Sequence, residues 1–172
     1  FEPMTAYLAT SNDLSLITID NQHRMRYMKY DGPENLEADR KITKGIIRAM
    51  VPKPDVSLVI TFYESEATNR RTFFFPPILR EEVLRAQPGT GDHILVYLSF
   101  GFDSFIEQLK QFPRETFRVY GYDRVSQEGN LHYRPFSKEG FLADLTSCKA
   151  VMATAGFTLM SEALWLKKPQ LA

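Results

Sequence analysis

The feature that most constrains the fold is an alternation: runs of four to six apolar, largely β-branched or aromatic residues take turns with polar-faced stretches of about ten. Leu14, Leu16, Ile17 and Ile19 read as a strand, as do residues 57–62, 72–75, 94–98, 116–120 and 150–153. Helical spacing predicts helices over residues 3–9, 34–50, 80–86, 102–111, 137–147 and 158–166; in the second of these Leu36, Ile42, Ile46, Ile47 and Met50 recur on one face. Strand and helix in turn describe an α/β chain with Rossmann-like parallel sheets and helices on both sheet faces. No internal repeat of 20–50 residues competes with that reading.

Length and composition then bound what such a chain can do. At 172 residues, 44% apolar and 13% aromatic, it can build one full or two small cores and is not a disordered tail. Pro76-Pro77 and the polar stretch with Pro88, Gly89 and Gly91 mark a boundary, so residues 79–92 are expected to link two domains. With 21 basic and 21 acidic side chains there is no basic surplus to draw it to nucleic acid. Its apolar runs, such as Leu58–Ile60 with Phe62 and Phe73–Phe75, fall far short of the roughly 20 residues of a membrane span. The single cysteine, Cys148, the absence of an Asn-x-Ser/Thr acceptor and of a secretory leader point to a reducing cytoplasm. The chain reads as a piece of a longer protein, with its last element expected to be cut through after Lys168-Pro169-Gln170-Leu171.

In doubly wound sheets ligands bind beyond the carboxyl ends of the strands, so the strand-to-helix junctions hold the chemistry. Two stand out: Tyr97-Leu98-Ser99-Phe100-Gly101, and Ala153-Thr154-Ala155-Gly156-Phe157-Thr158 followed by Glu162. The second suits a nucleotide diphosphate. A glycine admits close approach of backbone, amides at a helix start donate to phosphate oxygens, and the dipole there favours negative charge by about 0.3–1 kcal/mol. Thr158 is fit to cap the helix, and Glu162, one turn inside, is placed for a bidentate grip on two ribose hydroxyls. An ordinary helix with a threonine cap and an acidic first turn would carry the same letters. Gly89-Thr90-Gly91 precedes a strand and lacks a third glycine, so it is no dinucleotide fingerprint. The scattered His23, His93, His132 and Cys148 make no zinc site, and the sequence lacks an Asp-x-Asp pair for a metal-bridged nucleotide sugar, so no metal and no cofactor is expected.

The run Asn130-Leu131-His132-Tyr133-Arg134-Pro135-Phe136, then Phe141-Leu142 with Asp144-Leu145, Cys148–Met152, Ala155–Thr158, Ser161–Leu164 and Lys168-Pro169 resembles the donor site of the two-domain GT-B glycosyltransferases, most nearly the branch around the bacterial enzyme that transfers N-acetylglucosamine to lipid I. The resemblance spans nearly the whole chain. It implies two truncated Rossmann-like domains: residues 1–78 as the back half of an acceptor-side domain and 93–172 as the front of a donor-binding one. It implies transfer of a sugar from a nucleotide-sugar donor, expected to be linked to uridine diphosphate, to an acceptor hydroxyl on a glycan or a lipid-linked molecule, without a metal. Ser99, Phe100 and Gly101 stand where the family carries a glycine-rich loop and are poorer in glycine. Ala155, Gly156, Phe157 and Thr158 are implied for the diphosphate and Glu162 for the ribose. The family's base is expected outside this chain, leaving the fragment inactive alone, and peripheral membrane contact is open for relatives with lipid acceptors.

Two residues keep two readings each. Arg80 either approaches the diphosphate or makes a surface ion pair, and His23 either serves the acceptor as a proton carrier or is a hydrogen-bonded structural histidine. Two other functions share the architecture: a nucleotide-sugar 2-epimerase, which needs acid and base carboxylates such as Asp20, Asp103 or Asp144, and a non-catalytic nucleotide-binding or scaffold domain that keeps the fold.

Overall fold

The computed structural model describes residues 2–29, 32–98 and 101–172 and divides into two compact units, residues 1–78 and 79–172. The first contains α1 (Pro3–Ser11), β1 (Ile17–Asp20), α2 (Arg24–Tyr27), a single 3-10 turn (Glu34–Leu36) leading into α3 (Glu37–Met50), β2 (Val56–Ile60) and β3 (Thr72–Phe75). Its strands pair in chain order and all in parallel, Ile17 opposite Val56 and Ser57 opposite Thr72. Parallel neighbours need long crossovers, and α2 with α3 provides the first of them. The period-2 alternation turns Thr18, Asp20, Ser57, Val59 and Thr72 to the buried face, while Ile17, Ile19, Phe73 and Phe75 on the other face are 48–61% exposed. Helices on both faces were expected throughout; in this unit the described residues leave that second face open.

The second unit contains α4 (Glu81–Arg85), β4 (His93–Tyr97), α5 (Asp103–Leu109), β5 (Thr116–Tyr120), β6 (Ser126–Glu128), β7 (Leu131–Tyr133), α6 (Lys138–Ser147), β8 (Ala150–Ala153), α7 (Phe157–Trp165) and β9 (Gln170–Leu171). Its sheet runs β6-β7-β5-β4-β8-β9, parallel except for β6. Leaving that hairpin partner aside, the order is the 3-2-1-4-5 half of a doubly wound fold, and the direction of winding reverses between β4 and β8. Here both faces are covered. Val83 of α4, Phe141 and Leu145 of α6, and Leu159 and Ala163 of α7 pack on Leu95, Val151 and Ala153. Ile106 and Leu109 of α5 pack on Ile94, Val96, Phe117 and Val119.

Val83 is fully buried in that core, so residues 79–92, expected to be connecting chain, are built into the second unit. The β6–β7 hairpin and the one-turn α2 were not anticipated, because three- and four-residue elements are too short to show a hydrophobic period. The hairpin turns at Gly129 (φ +60°), and the Asn130 side chain donates to the carbonyls of Leu109 and Phe112 at 3.0 and 2.9 Å, tying it to the end of α5. Among the described residues no helix is long and apolar enough to cross a membrane, and Cys148 is buried.

Candidate functional site

The reversal between β4 and β8 in the second unit opens a crevice at the carboxyl ends of these strands, where α/β sheets hold ligands. A cavity of about 370 Å³ lies there, within the range of small-molecule sites. Gly156, Phe157, Thr158 and Glu162 form one wall and Arg80 closes one side. Tyr97, Phe136 and Phe141 form the facing wall, with Lys138 beside them.

The helix wall is built from the turn after β8. Thr158 is not the cap expected from its position: Gly156 is the last extended residue (φ −71°, ψ 122°), so α7 begins at Phe157 and places Thr158 in its first turn. Among the described residues no side chain caps the helix, and the amides of Thr158 and Leu159 have no acceptor. They are two of the donors every helix start leaves over. The fold does not need a glycine at 156: its φ suits any residue, and a Cβ there would meet only the Thr154 carbonyl oxygen at 3.7 Å.

Glu162, one turn further on, is 2% exposed. Arg80 binds it with two parallel hydrogen bonds, Nε to Oε1 at 2.7 Å and a terminal guanidinium nitrogen to Oε2 at 2.9 Å. Burial opposes the charge on Arg80, but the hydrogen bond to Glu162 outweighs it and raises the guanidinium pKa further. Arg80 is the extended residue at the start of α4, so its ion pair joins the entry of the unit to the middle of α7. Lys138 is paired with Glu82 at 2.8 Å on the exposed rim.

Of the other anticipated donor-site residues, Ala155 lines a neighbouring apolar cavity with Leu98, Phe102, Phe105 and Met152. Gly101 lines neither, and its φ of +97° favours glycine for conformational reasons. Ser99 and Phe100 lie outside the described residues. His23 belongs to the first unit and is fully buried; its Nδ1 lies 2.7 Å from Asp20 Oδ2, its amide donates to Oδ1 at 2.8 Å, and its ring stacks on Tyr27. His23 is not among the residues that line either of the cavities described for the two units. Burial works against ionising Asp20, yet the hydrogen bonds from the His23 ring and amide hold its carboxyl below the usual range. The sequence reading held Tyr97 in the first junction and Phe136 and Phe141 in the donor-site run without giving them a role, and it passed over Lys138. A signal existed for Tyr97: it continues the His93-x-Leu95 alternation one step past the buried core.

A second cavity, of about 290 Å³, lies in the first unit just after β1 and β2, between Arg24, Met25, Leu36, Arg40 and Tyr63. No group of three or more potential metal-ligating side chains comes together among the described residues.

A family model described as glycosyl transferase family 1 matches residues 1–172, the whole chain. The chain belongs to this family. The crystal structure of the glycotransferase of kitacinnamycin superposes on 95% of the chain with a TM-score of 0.53 at 15% identity, and only 53% of that enzyme is covered. The glycosyltransferase SnogD from Streptomyces nogalater is similar over 98% of the chain and 50% of its own length, at 15% identity and a TM-score of 0.44. No curated protein matches the chain. The member described here thus spans about half the length of the solved glycosyltransferases it resembles, and its fold is the mixed α/β, parallel-sheet fold expected of a GT-B fragment.

Proposed function

We propose that the protein containing this chain transfers a sugar from a nucleotide diphosphate, uridine-linked, to an acceptor hydroxyl, and that residues 79–172 hold the donor. Residues 1–78 then form part of the acceptor side. The observation that carries the reading is the uncapped first turn of α7 opening into a cavity that also holds the buried Glu162 carboxylate. Amides at that turn suit a diphosphate leaving group, whose charge grows as the glycosidic bond breaks; preorganised donors aimed at such charge lower the barrier without a metal. The missing Cβ at Gly156, which the fold does not require, leaves room for phosphate oxygens to reach them. Glu162 is placed one turn away for a vicinal diol. Its carboxylate has about four acceptor positions, of which Arg80 occupies two, so hydroxyl groups can share it.

The epimerase reading needs free carboxylates in the cleft. Asp144 is instead bound by Arg118 and by the Tyr120 hydroxyl, and Asp20 by His23, which counts against it. Calorimetric titration of the full-length protein with uridine diphosphate tests the proposal. Saturable binding that is lost in Glu162→Ala is expected; a wild-type protein that takes up no heat would end the donor assignment and leave the scaffold reading.

A further inference from the structure

Both cations on the cavity wall are already answered by carboxylates, Arg80 by Glu162 and Lys138 by Glu82. Beside the N–H groups that Arg80 and Lys138 have left over, the donors that face the space include neutral ones among the described residues: the amides of Thr158 and Leu159 on one side and, on the strand side, the hydroxyl of Tyr97. Tyr97 ends β4 on the same sheet face as His93 and Leu95, opposite the small Ala153 of β8, which gives its ring room. Leu95 is fully buried, whereas Tyr97 is 38% exposed, so the ring emerges from the core at the mouth of the crevice. Its apolar part is accounted for by packing, edge-on to Phe141 at 5.5 Å, tilted to Phe136 at 6.4 Å, and in reach of Gly121. A phenylalanine would make all of those contacts. The hydroxyl makes no hydrogen bond among the described residues and adds nothing to the core.

We propose that Tyr97 is a ligand-contacting residue, its hydroxyl donating to the nucleotide's diphosphate from the strand side while the α7 amides donate from the helix side. This rests on the donor-site reading above. It also assigns an anion contact to a side chain at the end of β4.

The test is a pair of titrations, uridine diphosphate and uridine, on the full-length wild-type protein and on Tyr97→Phe, a change that removes one oxygen and keeps the ring. A hydrogen bond to a charged group predicts that Tyr97→Phe binds uridine diphosphate about tenfold more weakly and uridine unchanged, with the same melting temperature. Unchanged binding of the diphosphate would overturn the assignment. Equal weakening of both ligands would place the hydroxyl on the nucleoside and overturn it as well. Wild-type protein that binds neither ligand would instead remove the donor-site reading, and this proposal with it.

Discussion

At the residue scale, Asp20 and His23 form a buried, hydrogen-bonded pair. The polar cluster at the end of β1 was legible in the sequence, but its burial was not, because which face of a strand is covered depends on elements far away in the chain. Asp20 accepts from both the ring and the amide of His23 inside the first unit. Asp20→Ala would leave those donors buried without an acceptor, and we expect a loss of about 1–3 kcal/mol in the stability of that unit, measured by chemical denaturation at pH 7. Since the folded carboxyl titrates below its unfolded value, its contribution is complete above that value and fades as pH falls through the folded one. The difference between wild type and Asp20→Ala should therefore shrink below about pH 4. A difference that persists undiminished at pH 3 would mean that the carboxylate's charge is not what His23 needs. Tyr97 is the opposite case. It ends a run that reads as buried strand, and only the crevice between β4 and β8 shows that it faces a cavity.

At the scale of elements, the long strands and helices were legible because each carries a full hydrophobic period; α6 is also announced by Ser137, whose hydroxyl accepts from the Gly140 amide at 3.0 Å. The turn into α7 was located correctly, but its cap was not, since Gly156 is extended and no side chain does the capping. Nothing in the local sequence pairs Arg80 with Glu162, 82 positions apart, because that contact exists only once α4 packs against α7. The pair makes a testable staple between those helices. Arg80→Met leaves a carboxylate that is 3% exposed without its partner; with Arg80 itself one-third exposed, solvent recovers part of the loss, and about 2–3 kcal/mol is expected. Glu162→Leu should cost a comparable amount, while the double variant should regain much of it, because two apolar side chains replace an ion pair at little net cost. Strictly additive losses across that cycle would show that the two residues do not support each other.

At the scale of the whole molecule, the chain divides into two compact units that carry differently titrating groups, and we expect acid to act on them differently. Among the described residues with displaced pKa values, His93 is the one whose unfolded side chain takes up its proton between pH 7 and 5. Burial pushes its pKa down, against the pull of the Asp144 carbonyl that its Nε2 contacts at 3.0 Å, so the ring takes up a proton less readily in the folded second unit than in the unfolded chain. An unfolded histidine takes its proton near pH 6.5. The unfolded chain thus binds more protons below that value, and the stability His93 lends is complete above about pH 6.5 and lost as pH falls toward the folded pKa. Asp20, the displaced carboxylate inside the first unit, responds only nearer pH 4. Scanning calorimetry from pH 7.5 to 5 should show the transition of residues 79–172 moving to lower temperature while that of residues 1–78 holds its place. His93→Gln, which keeps a donor for the carbonyl without a titrating ring, should flatten the slope of the second unit. If both transitions fell in parallel, or if His93→Gln kept the full pH dependence, the buried ring would not be the acid-sensitive element of the second unit.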